Sequence, residues 1–466
     1  RSPSSGSPCG SSTEHDVSYR RSTVVDMKGS SRTAKPTYLC QTCGHHAAKW
    51  MGFCPQCRAS EPLVETVPAA RAAGRSVDVV QAVASSTSVR DREPTGIAEF
   101  DRVLGGGIVP GAALLLGGEP GVGKSTLLLQ VADALASDGG TVVVATAEES
   151  AHQVQMRARR VGLGSEGVMV ASVYDVDDII RLADDHRPNA LIVDSIQTVS
   201  TVDVTGSAGG ITQVRESAAR LITRAKTSGI PVILVGHVTK DGAIAGPRTL
   251  EHMVDVVLYL EGENQQGLRF LRGIKNRYGS VNEVGVFEMT AEGLTQVLDP
   301  SGVLVADRDG SASGTILFPT IEGRRPMMVE IQALVVPSGS EQPRRAVNGV
   351  PASRVHQILG VLERHASLPI ARRDVYVSVM GGVRLTEPAA DLAVALAVAS
   401  SYSDLPLGRT AAWGELGLTG DVRAASRSPV RRAEAERIGA DPIIEPIDGR
   451  KRLFEIMLAC GFGGSA

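Results

Sequence analysis

The stretch Gly118-Glu119-Pro120-Gly121-Val122-Gly123-Lys124-Ser125-Thr126 constrains this chain more than any other. It matches G-x-x-x-x-G-K-[ST] directly behind the apolar run Ala112 to Leu116 and ahead of a helical pattern over Leu127 to Ala136. A strand feeding a glycine-rich loop and then a helix turns several backbone N–H groups toward one point, which suits a phosphate chain. Lys124 is spaced to neutralise the β and γ oxygens, and the Ser125 hydroxyl to ligate Mg²⁺. The motif therefore predicts a nucleoside triphosphate.

Around and beyond this loop the chain alternates strand and helix. Strand-like runs are Ala112–Gly117, Thr141–Ala147, Ala190–Asp194, Val232–His237, Val256–Leu260 and Phe270–Lys275, with amphipathic helical patterns at 150–160, 176–186 and 213–227. This order predicts a parallel sheet covered by helices, an α/β core over residues 89–298. Asp299-Pro300-Ser301-Gly302 and the Asp307–Gly314 segment read as a boundary, so 299–313 is expected to be a linker. Residues 314–466 form a second α/β unit. In that unit Thr315–Phe318, Met327–Val336 and Val375–Val379 look like strands, and 351–366, 388–400, 428–438 and 449–460 like helices.

Ahead of the core, Cys40-x-x-Cys43 and Cys54-x-x-Cys57 stand ten residues apart, the arrangement of two knuckles that close four thiolates around one tetrahedral Zn²⁺. Redox pairs or disulfides are the alternatives, and neither accounts for two matched knuckles. Residues 35–62 are thus expected to be a zinc finger. His45 and His46 read as surface groups beside a site that the thiolates complete. Residues 63–88, rich in Ala, Val, Ser and Arg, read as a linker, and 1–34 as a disordered tail in which Met27 is a candidate native start.

Net charge is −3, so any nucleic-acid surface must be local, and with seven Phe, seven Tyr and two Trp the composition argues against an aromatic stacking platform. Among six cysteines only Cys9 and Cys460 lie outside the cluster, and no apolar run suits a membrane span or a secretory signal. The expectation is a cytoplasmic protein with no membrane partner.

Hydrolysis needs more than a phosphate cradle. Ala190–Asp194 is an apolar run ending in an acid, placing Asp194 to hold Mg²⁺ at the carboxyl edge of the sheet. Glu148 and Glu149 follow another strand to the same edge, where either can polarise an attacking water. His237 ends a further strand there and is a candidate γ-phosphate sensor. Lys275 and Arg277, two apart in an extended segment, share a face and could reach a neighbouring subunit's triphosphate or simply be solvated.

In this order the pieces resemble one bacterial family, RadA (also called Sms), over about residues 38–462; Thr146-Ala147-Glu148-Glu149-Ser150 and Lys275-Asn276-Arg277-Tyr278-Gly279 stand at the family's positions. The resemblance implies a RecA-like ATPase core binding ATP and Mg²⁺, and a homo-hexameric ring related to DnaB-type helicases. It also implies partners in single-stranded and branched DNA and in a recombinase of the RecA type. By the same resemblance Glu148 is the catalytic carboxylate, from its nine-residue spacing to Arg157, and Lys275 and Arg277 act in trans. Loops 198–212, expected to be flexible, and 240–250, with Lys240 and Arg248, would face the channel.

The C-terminal unit resembles the proteolytic domain of Lon, with Ala389 at the nucleophile position and Pro429 at the lysine position. An inactive scaffold is implied, with Arg344, Arg345, Arg372, Arg373 and Arg384 as candidate DNA contacts. The alternatives are a Lon-type protease and a non-motor, KaiC-like signalling ATPase.

Overall fold

The computed structural model describes residues 37–39, 46–47, 49–55, 58, 64–66 and 92–462, apart from 138, 237–249, 263–266, 309 and 447–450. The chain divides into two compact units, 1–87 and 88–466.

In the first unit, β1 (Thr37–Leu39) pairs antiparallel with both β2 (His46–Ala47) and β3 (Val64–Thr66). Because Val64, Glu65 and Thr66 are laddered to β1, the expected linker cannot start at 63. The small sheet extends to 66.

The second unit opens with α1 (Ala98–Leu104) and a nine-stranded sheet. Its strands are β4 (Ala113–Gly118), β5 (Val142–Thr146), β6 (Val168–Ser172), β7 (Ala190–Asp194), β8 (Val232–Val235), β9 (Val256–Glu261), β10 (Leu268–Asn276), β11 (Val284–Thr290) and β12 (Gly293–Gln296). Their spatial order is β12-β11-β10-β9-β4-β8-β7-β5-β6. The six from β9 to β6 are parallel, as expected. The last three are not: β10, β11 and β12 add antiparallel. The reason is chain length. Only six residues separate β9 from β10, too few for the crossover that a parallel neighbour needs.

Apolar runs in the parallel strands reflect burial on both faces. Leu114, Leu116, Val144, Ile192 and Ile233 pack with α2 (Lys124–Ala136) and α1, while Leu115, Val143, Val193 and Leu234 pack with α4 (Val176–His186) and α5 (Ile211–Ser228). Helix α3 (Ala151–Arg160) starts on a capping box between Ser150 and Gln153.

The segment expected to be a linker contains α6 (Pro300–Val305). Asp299 and Pro300 look like turn residues, but Asp299 is the N-cap, accepting a bond from the Gly302 amide at 3.1 Å, and Pro300 occupies the first turn. Ser301 is buried, accepting the Met328 amide at 2.8 Å and donating to Glu434. A six-stranded sheet comes next, built around β13 (Thr315–Glu322), β14 (Arg325–Pro337), β15 (Arg345–Asn348) and β16 (Arg373–Val379). Helices α7 (Ala352–His365) and α8 (Asp391–Ser403) share its core with Trp413, and α9 (Ser428–Arg437) and α10 (Leu453–Ala459) complete the unit. Residues 392–399 of α8 are apolar and wholly buried, so that helix is central.

The two sheets are not separated by a free linker. The β13–β14 turn docks on the nine-stranded sheet. Arg272 on β10 bonds Glu322 at 2.7 Å, and Arg325 pairs with Glu99 of α1 while donating to the Leu298 carbonyl at 2.8 Å. The Glu99 side chain is fully buried and also accepts the Val286 amide at 2.8 Å. Leu268, Val286, Val297 and Met327 close an apolar cluster around this junction.

Truncating one member of such a pair leaves the other charge buried. Arg325→Ala is expected to destabilise the second unit by about 3–5 kcal/mol. The double variant Glu99→Gln with Arg325→Met should recover much of that loss. Denaturant titrations followed by fluorescence of the buried Trp413 measure both; equal stability of Arg325→Ala and the parent would refute the junction's role.

Candidate nucleotide site and its surroundings

Strand β4 ends at Gly118 and α2 begins at Lys124, so the loop lies at the carboxyl edge of the parallel sheet, at the switch point between β4, which connects toward β5, and its neighbour β8, which connects back to β9. Its glycines are sterically required. A Cβ on Gly118 would fall 2.5 Å from the Leu260 carbonyl oxygen, and one on Gly123, at φ +113°, would fall 2.7 Å from Met289. Lys124, 4% exposed, folds back to donate to the carbonyls of Gly118 and Glu119, both at 2.9 Å. Burial pushes its amine below the usual lysine range, while the carboxylates of Asp194 and Glu148 oppose that shift. The cradle fits a triphosphate, and the Ser125 hydroxyl and Asp194 carboxylate supply the hard oxygen donors Mg²⁺ prefers.

Asp194 ends β7 beside Thr146 of β5, and both line one small pocket with Ser125 and Arg157. The two glutamates separate in role. Thr146 holds the Glu149 backbone through bonds of 2.9 and 3.2 Å, and the Glu149 carboxylate pairs with Arg157. Glu148 is exposed at the sheet edge and accepts a bond from the Ser195 hydroxyl, next to Asp194. Arg157, expected to mark Glu148, is thus bound to its neighbour. Glu149 is thus offset by a guanidinium, and Glu148 lies against the Ser195 hydroxyl and near Lys124. Ser195 carries no motif signal.

Lys275 and Arg277 are brought together, on the side of the 251–255 segment. Lys275 Nζ donates to the carbonyls of Glu251 at 2.7 Å and Val254 at 2.8 Å, and burial followed by the Arg277 charge lowers its pKa. Arg277 bonds Asp255 Oδ1 at 3.0 Å, and Asp255 Oδ2 accepts the Ala113 amide at 3.1 Å. The same carboxylate, after burial, holds the Tyr278 hydroxyl above the usual tyrosine range. Strand register places the pair relative to the phosphate loop. Asn276 stands opposite Val256, which stands opposite Leu114, whereas the phosphate loop begins after Gly118, opposite Leu260. Four strand residues, roughly 13 Å, separate those levels. Lys275 and Arg277 therefore lie toward the sheet edge opposite their own loop.

Loop 198–212 is more constrained than expected. The buried Gln213 amide accepts the Thr201 amide at 2.9 Å and donates to the carbonyls of Val204 at 2.6 Å and Thr201 at 3.1 Å, leaving Val202 87% exposed at the tip. His237, Lys240 and Arg248 lie outside the described residues, as do Cys40, Cys43 and Cys57. Cys54 is described and fully buried, beside Ala47, Tyr38 and Met51. A buried thiol in so small a cluster fits a metal ligand, which would supply the stability that the apolar contacts lack.

In the C-terminal unit Ala389 is buried in a turn before α8, its carbonyl accepting the Gly414 amide at 2.8 Å, and Pro429 lies in the first turn of α9. Ser428 lies between the Trp413 indole and the Ala425 carbonyl, at 3.0 and 3.2 Å. Of the candidate arginines, Arg344, Arg372 and Arg384 are exposed. Arg345 instead bonds the carbonyls of Arg344, Ile370 and Arg373, and the Arg373 guanidinium stacks 5.2 Å from the Tyr402 ring. No helix among the described residues is long and apolar enough to cross a membrane.

A model for an AAA domain matches residues 81–243, and one for a rubredoxin metal binding domain matches 38–65. The chain is 45% identical to the DNA repair protein RadA of Bacillus subtilis (strain 168) over 423 residues, covering 88% of this chain and 92% of the relative. Identity to RadA of Mycobacterium tuberculosis (strain ATCC 25618 / H37Rv) is 46% over 416 residues, 87% of each chain. For RadA of Streptococcus pyogenes serotype M1 it is 44% over 420 residues, 88% of this chain and 92% of the relative. A solved KaiC-like protein from Pyrococcus horikoshii OT3 aligns with 44% of this chain and 99% of its own at 23% identity, with a TM-score of 0.38. With a phosphate loop formed as the first motif requires and identity at this level over at least 87% of each chain, the chain belongs to the RadA family of DNA repair proteins.

Proposed function

We propose that this chain is a ring-forming ATPase motor of recombinational repair, which hydrolyses ATP to translocate on single-stranded DNA and so promotes branch migration of recombination intermediates formed by a RecA-type recombinase. The observation that carries this reading is the position of Lys275 and Arg277 toward the sheet edge away from their own phosphate loop. Two cations at the end of a strand, out of reach of the cis nucleotide, suit a site shared between subunits.

In this reading Lys124 and the loop amides bind the β and γ phosphates, and Ser125 and Asp194 hold Mg²⁺, which offsets charge on those oxygens. Glu148 accepts the proton of the attacking water, and Ser195 orients it. Arg277 and Lys275 from the adjacent subunit stabilise charge that develops on the transferred phosphoryl group. Residues 35–66 form a zinc ribbon, and the C-terminal unit is a Lon-like scaffold without protease chemistry, since Ala389 has no nucleophilic atom and Pro429 no amine. Arg344, Arg372 and Arg384 remain as its candidate DNA contacts.

Lys124→Ala should abolish turnover. Glu148→Gln should lower kcat by about 10²-fold or more while ATP stays bound, whereas Glu149→Gln, which only loosens the Arg157 pair, should cost far less. Single-turnover hydrolysis with a filter-binding assay separates them, and a larger defect in Glu149→Gln would reverse the assignment.

Arg277→Ala should lower kcat by on the order of 10³ with nucleotide affinity retained. Mixing it with Lys124→Ala under conditions of verified subunit exchange should restore part of the ATPase, because some interfaces then combine an intact loop with an intact finger. No recovery would sink the trans reading. Single-stranded DNA should stimulate the parent's rate, and lack of stimulation would count against a motor.

One zinc per chain is expected by metal analysis. Cys54→Ser should release it and expose residues 37–66 to protease while the Trp413 unfolding transition stays put. A full zinc complement in that variant would overturn the ribbon assignment.

A further inference from the structure

Each side chain from Lys275 to Tyr278 has a partner, and the partners fall on two sides. Lys275 and Arg277 face Glu251, Val254 and Asp255. Asn276, between them, faces the other way, as alternation along an extended chain requires. Its Nδ2 donates to the Leu104 carbonyl at 3.3 Å, and its Oδ1 accepts the Tyr278 amide at 2.9 Å. Leu104 is the last residue of α1, so its carbonyl has no partner within the helix.

Arg92 completes this side. Its Nη1 donates to the Leu104 carbonyl at 2.5 Å and its Nη2 to the Tyr278 carbonyl at 2.5 Å. One planar fork therefore ties the end of α1 to the turn that ends the finger strand. These are two points 174 residues apart in the chain, with Arg92 186 residues from Tyr278. Gly279 leaves room for it: a Cβ there would lie 3.3 Å from Asn276 Nδ2 and 3.7 Å from Arg92 Nη2. Arg92 has no motif signature, touches neither the phosphate loop nor Asp194, and takes no part in the hydrolytic chemistry.

We propose that Arg92 is a positioning residue for the trans-acting pair: by bridging the carbonyls of Leu104 and Tyr278 it fixes the turn from which Lys275 and Arg277 project toward the neighbouring subunit's nucleotide. This rests on the trans reading of that pair. The geometry favours arginine over lysine, because only a guanidinium presents two donors in a fixed plane to two carbonyls. The defect of an Arg92 variant belongs to the finger side of each interface, not to the loop side.

Subunit mixing with the full chain tests this directly. Arg92→Met alone should lower kcat about tenfold, with ATP affinity within twofold of the parent. Mixed with Lys124→Ala it should regain activity, since an Arg92→Met loop then meets an intact finger. Mixed with Arg277→Ala it should give no more than the weighted average of the two, because every finger is then defective. Arg92→Lys, which keeps the charge but reaches one carbonyl at a time, should fall between Arg92→Met and the parent in kcat and show the same mixing pattern; it carries the test if Arg92→Met fails to fold.

Parental kcat in Arg92→Lys and Arg92→Met, a loss of ATP affinity with kcat intact, or recovery on mixing with Arg277→Ala would each overturn the proposal. The mixture of Lys124→Ala with Arg277→Ala is the control. If it recovers and the Arg92 pattern does not appear, only the Arg92 assignment falls; if it fails to recover with exchange verified, the trans reading fails and this proposal with it.

Discussion

Burial of β4 on both faces, at the centre of a sheet whose neighbours run parallel to it, is the constraint on which the rest of the core depends. Such a strand has polar business only at its ends. At its carboxyl end the chain turns out through Gly118–Gly123 and exposes backbone amides. At its amino end the Ala113 amide is capped by the buried carboxylate of Asp255, which also holds Arg277. One strand thus has the phosphate loop at one end and, across β9, Lys275 and Arg277 toward the other.

Strand β10 links this division of ends to the C-terminal unit. Phe270 packs against the C-terminal core, Arg272 bonds Glu322 of the β13–β14 turn, and Lys275 comes three residues later. Arg269, nearly fully buried on the same strand, donates to the Val122 carbonyl within the phosphate loop at 3.3 Å. A single strand therefore touches the chain's own phosphate loop and the C-terminal sheet and carries Lys275. Small shifts in a buried strand are transmitted along its length because a close-packed interior does not deform locally. This gives the C-terminal unit a physical route to the phosphate loop.

Local patterns revealed what depends on short-range order. The loop at 118–126, the parallel strands and the alternation of helices were legible because each is specified by contiguous residues and by burial on both faces. The antiparallel extension was partly hidden, since a run such as Phe270–Lys275 has the composition of any buried strand and only the six-residue connection before it excludes a parallel partner. Asp299 and Pro300 misled because a helix start and a turn use the same residues, and the buried Ser301 that decides between them depends on Glu434, far along the chain. In the site, Lys124, Asp194 and the glutamate pair could be found by motif. Ser195, Asp255, Gln213 and Arg92 could not, because each acts through a contact whose partner is set by the fold.

In the C-terminal unit a buried ion pair sets the surroundings of Ala389. Beside Ala389, Glu387 accepts bonds from Arg431, from the Thr320 hydroxyl at 3.0 Å and from the Ile321 amide at 3.3 Å. The Arg431 side chain is 1% exposed and its guanidinium lies 5.6 Å from the Phe318 ring. A serine–lysine dyad requires an amine that can lose its proton in a desolvated pocket. Arg431 cannot take that part, since a guanidinium stays protonated and this one is paired with a carboxylate. Its charge serves a structural end, joining α9 to the carbonyl of Pro319 on β13 and to Glu387 ahead of α8. Removing it would leave Glu387 with neutral partners only, so the ion pair that occupies this part of the fold also couples its helices to the sheet that meets the ATPase core.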